Sequence, residues 1–103
     1  MDLVVEIYQV TSVFPSHERF GLSSQSQRSA VSIPANIAEG SAKSSNKDFA
    51  RFLEMSIGSS YELETELIIA SRLKYIDSEV FLSIQNKITE IQKMITGFKN
   101  KLD

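Results

Sequence analysis

The chain predicts an all-α fold, an antiparallel up-and-down four-helix bundle with a proline-kinked second helix. Three observations carry that expectation. Apolar residues recur at intervals of three and four throughout, and no strand-like alternation runs long enough to compete. From Phe81 to Leu102 the spacing is a strict heptad seam: Phe81, Ile84, Ile88, Ile91, Ile95, Phe98 and Leu102. Short polar stretches with glycine, proline or capping residues divide the pattern into four segments.

The first segment runs from Asp2 to Phe14, with Leu3, Ile7, Val10 and Phe14 on one face. Phe14-Pro15 ends it, because the residue before proline resists the helical region. The loop from Pro15 to Leu22 has Gly21 as a second breaker. Ser23 or Ser24 caps the second helix, and Ser24 with Gln27 spells a capping box. This helix runs to about Ala38, with Gly40 as its stop. Pro34 lies inside it, lacks an N–H for the Ala30 carbonyl, and predicts a kink.

After the linker Ser41 to Asn46, one of Ser44, Ser45 and Asn46 caps a long third helix from Lys47 to about Tyr75. Asp48 sits in its first turn, where the helix dipole favours an acid. Gly58 costs helix stability, so it is expected to permit a close backbone approach. Asp77 or Ser78 caps the fourth helix. The short connection before it makes helices three and four antiparallel neighbours.

Composition bounds function. The 103 residues suit one domain spanning 1–103, and 42% hydrophobic residues allow one core. Without cysteine, disulfides and thiolate metal sites are excluded. A net charge of −2 argues against bulk attraction to nucleic acid but leaves room for a local basic patch. No apolar run reaches membrane-spanning length, and the start, with Asp2 and Glu6, is no secretory leader. The expected location is cytoplasmic.

Three groups of residues are candidates for interaction. On the third helix Ile57, Tyr61, Ile68 and Tyr75 form a second apolar line, roughly 100° from the main face. It reads either as the edge of a broad buried face or as a subunit interface, where tyrosine is favoured. Gln25, Ser29, Ser32, Asn36 and Glu39, at intervals of four and three, form a polar stripe on the second helix. It reads either as a ligand or partner surface or as an internally hydrogen-bonded face that sets register. Arg28, Lys43, Lys47 and Arg51 cluster in sequence around the linker, and read either as solvated faces or as phosphate contacts to RNA or DNA.

No catalytic, cofactor-binding or metal-ligating residue is read from the chain. Glu39, Glu62 and Glu66 suggest a di-metal carboxylate bundle, but neither Glu62 nor Glu66 has a histidine three residues on. His17 is the single histidine, in the loop with Glu18 and Arg19, and no second base or oxyanion element accompanies it to build a hydrolytic triad.

Three ordered signatures resemble a known family. They are Phe14-Pro15-x-x-Glu18-x-Phe20-Gly21-Leu22-x-x-Gln25, then Ser32-Ile33-x-x-Asn36-Ile37-Ala38-Glu39-Gly40, then Phe49-x-x-Phe52-Leu53 followed by Gly58-Ser59-x-x-Glu62-Leu63. The chain from Leu3 to Ile76 is similar to the bacterial four-helix-bundle proteins first noticed as reading frames inside 23S rRNA intervening sequences. That resemblance implies a ring-like homopentamer and no enzymatic activity. It extends to the accessory protein of diversity-generating retroelements, a basic pentameric barrel that engages nucleic acid and a reverse transcriptase. Two features differ from the family pattern. The family carries further helical turns before the position of Leu3: either the start here is assigned late or the first helix is short, and a short helix would leave parts of helices three and four uncovered. Gln25 is followed by Ser26, Gln27 and Arg28, where the family tends to an aliphatic residue and two arginines.

Overall fold

The computed structural model describes residues 2–102; Met1 and Asp103, the ends of the span read as one domain, lie outside them. Four helices account for most of the chain: α1 (Asp2–Thr11), α2 (Leu22–Ser41), α3 (Asn46–Arg72) and α4 (Ser78–Asn100). A 3₁₀ turn, Ser16–Glu18, lies between α1 and α2, and the described residues contain no strand. The bundle measures 44 × 24 × 19 Å.

Side-chain contacts order the helices. Ser32 and Ile33 of α2 meet Ser59 and Ser56 of α3, while Gly40 meets Phe49 and Phe52. Gln85 of α4 reaches Glu64 of α3 and Lys99 reaches Glu54. In both pairs the numbering rises on one helix as it falls on the other, so the neighbours are antiparallel. Helix α1 lies against α2 and α4, and its backbone does not approach that of α3, which places α1 and α3 diagonally across the bundle.

The core is where the periodicity placed it. Ile7, Leu53, Leu63, Leu67, Ile84 and Ile88 are essentially inaccessible. The α4 seam faces inward through Ile84, Ile88 and Ile95, while Phe98, near its end, is half exposed and stacks on Phe49 at 5.5 Å between ring centroids. Burial of such a set is the main stabilising contribution, at about 25 cal/mol per Å² of apolar surface.

Several local expectations are corrected. Regular α1 ends at Thr11, and tighter i to i+3 bonds carry the winding to Phe14. No capping box forms at α2. Its first N–H, that of Leu22, donates to the Glu18 carboxylate at 3.2 Å, while Gln27 donates to Thr11 Oγ1 at 2.9 Å. Helix α2 runs unbroken through Pro34 and past Gly40 to Ser41. Gly40 is thus no stop: it is buried, and a Cβ there would stand 2.6 Å from Phe52 Cβ. Gly58 plays the opposite part, since a Cβ there would meet nothing within 4 Å. The close approach belongs to Gly40.

Helix α3 starts as expected, with Ser45 Oγ accepting from Asp48 N–H at 3.1 Å. It ends before Tyr75. Tyr75 N–H donates to Ala70 O and Lys74 N–H to Ser71 O, with Lys74 at φ 64°. That is a Schellman ending with lysine in the left-handed position that glycine usually occupies.

Candidate functional site

The polar stripe on α2 is split by its neighbours. Ser29 is buried, Ser32 and Asn36 are half-buried, and Gln25 and Glu39 face water. Ser59 Oγ donates to Ser32 Oγ at 2.9 Å, and Asn36 Nδ2 donates to the same hydroxyl at 3.0 Å and to Ser32 O at 2.9 Å. One turn along, Ser56 Oγ donates to the Ile33 carbonyl at 2.8 Å. The middle of the stripe is therefore an internal seam between α2 and α3, and only its ends are available to a partner.

Glu66 belongs to the same seam. Burial raises the pKa of its carboxyl; the Ser29 hydrogen bond pulls the other way, and the Glu62 charge adds to the rise. One carboxylate oxygen of Glu66 and the hydroxyl of Ser26 are buried without a partner. The structure does not gather Glu39, Glu62 and Glu66. Glu39 lies level with Phe52, and fourteen α3 residues separate Phe52 from Glu66, roughly 21 Å of helix.

The basic residues divide three to one. Lys43 Nζ and Arg51 Cζ lie 5.1 and 5.2 Å from the centroid of the Phe52 ring, within cation–π range. Lys47, Arg51 and Lys99 share a groove with Asp48 and Glu54. The acids temper it: Arg51 is 3.9 Å from Asp48, and Lys99 is 3.1 Å from Glu54. Arg28 is not part of this cluster, since it precedes Lys43 by fifteen residues, roughly 22 Å along α2.

On α3, Tyr61 is 55% exposed, Ile57 and Ile68 are half-buried, and Ile57 packs on the core. Tyr75 is engaged within the chain. Its ring lies 5.5 Å from Phe14, and its hydroxyl donates to Glu18 Oε2 at 3.1 Å. His17 Nε2 stands 3.3 Å from that hydroxyl and 3.9 Å from Glu18. Glu18 thus joins the loop, the start of α2 and the α3–α4 connection.

One surface was not anticipated. Where α1 begins, a cavity of about 330 Å³ opens between α1, α2 and α4. Leu3, Val4, Ile33, Pro34, Ile91 and Met94 line it, and Asp2, Lys87 and Glu90 stand at its rim. Lys87 is bound to Glu6 at 2.7 Å. Met94, at 71% exposure, carried the only sequence signal: a large apolar residue outside the α4 seam.

No described helix is long and apolar enough to cross a membrane. No functionally curated protein matches the chain. A solved Bacteroides thetaiotaomicron protein of unknown function, from the S23 ribosomal protein family, superposes with a TM-score of 0.82. It is 32% identical, over 93% of this chain and 87% of its own. The model of the 23S rRNA-intervening sequence proteins matches residues 1–97. A four-helix architecture, a solved relative of the same shape and a match along nearly the whole sequence agree: the chain belongs to the 23S rRNA-intervening sequence protein family.

Proposed function

We propose that this protein is a non-enzymatic homo-oligomeric bundle that acts as an assembly or binding module. The observation that carries the reading is the outward side of α3. There Tyr61 stands more than half exposed between the half-buried Ile57 and Ile68, on the longest helix of a small bundle. A strip of this kind is costly to leave wet and suits contact with another subunit. Tyr75 continues the line at the end of the bundle, where its ring also serves the chain's own fold. Five subunits and a cytoplasmic location complete the proposal, the number by family resemblance. Sedimentation at micromolar concentration tests it, because a monomer of 11.6 kDa there refutes the oligomer.

A second reading has its own observation. Lys43 and Arg51 converge on Phe52, with Lys47 and Lys99 in the adjoining groove. This end of the bundle would contact RNA or DNA phosphates, with Arg28 at most a distant contributor. Titration of structured RNA at two salt concentrations tests it. Phosphate contacts give affinity that falls steeply with salt; no binding at low salt removes the reading.

A further inference from the structure

The turn between α1 and α2 encloses a cavity of about 480 Å³. Arg19 is the one charged residue that lines it, and its guanidinium makes no ion pair among the described residues. Glu18, next to it in sequence, is not in the wall. Its carboxylate oxygens accept instead from Leu22 N–H and from the Tyr75 hydroxyl. The cavity therefore carries one positive charge and no negative one.

Hydrogen-bond donors converge on the same space. Helix α2 opens at Gly21, which has no side chain to cap it. Leu22 N–H goes to Glu18, whereas the N–H groups of Ser23 and Ser24 meet no acceptor among the described residues. First-turn donors of this kind favour an anion. The helix end does not stand alone. Ser23 lines the cavity, is only 7% exposed, and its hydroxyl has no hydrogen-bond partner among the described residues. Unlike the sealed hydroxyl of Ser26, it keeps its access to the cavity. A polar group so placed costs free energy until something bonds to it. Thr11 and Gln27, in the same wall, are occupied with each other. At the mouth stands Phe20, 89% exposed, with Arg19 Cζ 5.5 Å from its ring centroid. Packing within the chain gives that ring no role.

We infer that this cavity binds a phosphate monoester on an aromatic body, the chemistry of a mononucleotide or of the phosphorylated end of a strand. The phosphate accepts from the Ser23 and Ser24 N–H groups and from the Ser23 hydroxyl, and it pairs with Arg19. The aromatic body lies on Phe20, as bases lie on exposed aromatic rings. Phosphate fits better than carboxylate, because three terminal oxygens can meet donors arriving from helix, hydroxyl and guanidinium together. The site is at the start of α2, whereas Lys43 and Arg51 lie beyond its far end, so it is separate from the basic groove described above.

Calorimetry on the purified chain tests it, with adenosine monophosphate, inorganic phosphate and adenosine as probes. The expected result is one nucleotide per chain, weaker binding of inorganic phosphate, and none of adenosine. Arg19→Gln and Ser23→Ala each weaken the nucleotide by about tenfold or more, the usual loss for a hydrogen bond to a charged group. Phe20→Ser weakens the nucleotide and leaves inorganic phosphate unchanged. Arg51→Gln, in the basic groove, changes neither. Circular-dichroism melts establish that each variant folds, with Ser24→Ala replacing Ser23→Ala if that one does not. A short oligonucleotide with and without a terminal phosphate separates the two sources: tighter binding of the phosphorylated strand than of the mononucleotide assigns the site to a strand end, and the reverse to a free nucleotide. A nucleotide that does not bind at millimolar concentration, adenosine that binds as well as its phosphate, or affinity that survives both Arg19→Gln and Ser23→Ala overturns the site. Unchanged nucleotide affinity in Phe20→Ser overturns the aromatic body.

Discussion

Replacing Gly40 with alanine sets two effects of known sign against each other. Alanine improves helix propensity by about 1 kcal/mol over glycine in a helix interior. Against that, its Cβ would lie 2.6 Å from Phe52 Cβ and 3.0 Å from Phe49 Cδ1. Ordinary contact begins at about 3.4 Å, so α2 and α3 must separate by most of an ångström at this point. The nearest atom is a Cβ, fixed to the α3 backbone, and no rotamer of Phe52 can move it. Overpacking of a filled interface costs about 1–3 kcal/mol. A clash with a backbone-fixed atom that no rotamer relieves falls in the upper part, about 2–3 kcal/mol. The steric effect wins, with a net loss of about 1–2 kcal/mol. For a chain of this size that lowers Tm by about 5–15 °C.

The assay is a thermal melt at fixed protein concentration, since association would make Tm concentration-dependent. Gly97→Ala is the control: a Cβ there meets nothing, so the propensity gain stands alone and Tm rises. Trimming Phe52 to leucine in the Gly40→Ala background gives no rescue, because leucine keeps the offending atom. A Gly40→Ala protein that melts at or above the wild type refutes the claim that this glycine sets the distance between the helices.

Three further outcomes are expected. Lys74→Gly relieves the left-handed strain at φ 64° and raises stability by about 0.5–1 kcal/mol, read by urea denaturation. Ser56→Ala removes the buried hydroxyl that bonds the Ile33 carbonyl and lowers stability by about 1 kcal/mol in the same experiment. Glu66→Gln stabilises the protein at neutral pH, because burial disfavours the charged carboxylate. The sign follows from linkage: burial raises the folded pKa above the unfolded value of 4.5, so the native state loses stability as pH rises through that interval. Melts below pH 4.5 therefore show the difference between the wild type and the Glu66→Gln protein disappearing, and a difference that grows toward acid contradicts the assignment.

Periodicity made the helices legible because each buries one stripe. The α4 seam and the Ser45–Asp48 start of α3 needed nothing beyond spacing and capping chemistry. The start of α2 was not legible. Its cap is Glu18, whose carboxylate reaches Leu22 N–H because the turn at 19–21, closed by Gly21 N–H on Glu18 O, folds the chain back. The two helical glycines illustrate a signal that was present in the phase. Gly40 falls seven residues after Ile33, on the buried stripe of α2, whereas Gly58 falls outside the arc that holds Ser56, Ser60 and Leu63. Phase, not position along the helix, separates a packing glycine from an exposed one. The cavity at the start of α1 was beyond spacing altogether, since it depends on which two helices α1 covers.

The polar stripe of α2 gains a physical role from this arrangement. Leucines and isoleucines alone tolerate repacking, so an apolar seam between α2 and α3 would permit sliding by a turn. Here a slide of one turn, about 5.4 Å, would break the Ser56–Ile33 and Ser59–Ser32 bonds together and move Phe52 off Gly40 onto a residue with a side chain. Three short-range constraints, two directional and one steric, thus select one register between the helices. The seam tolerates hydroxyls because small residues let the backbones approach until each hydroxyl finds an acceptor. Ser26 and one oxygen of Glu66, which find none, mark the part of the seam where this fit is incomplete. A fixed register has a consequence at the surface. It holds Tyr61 level with Ala30 of the neighbouring helix, so a small polar contact inside the bundle sets the height of the exposed strip on α3.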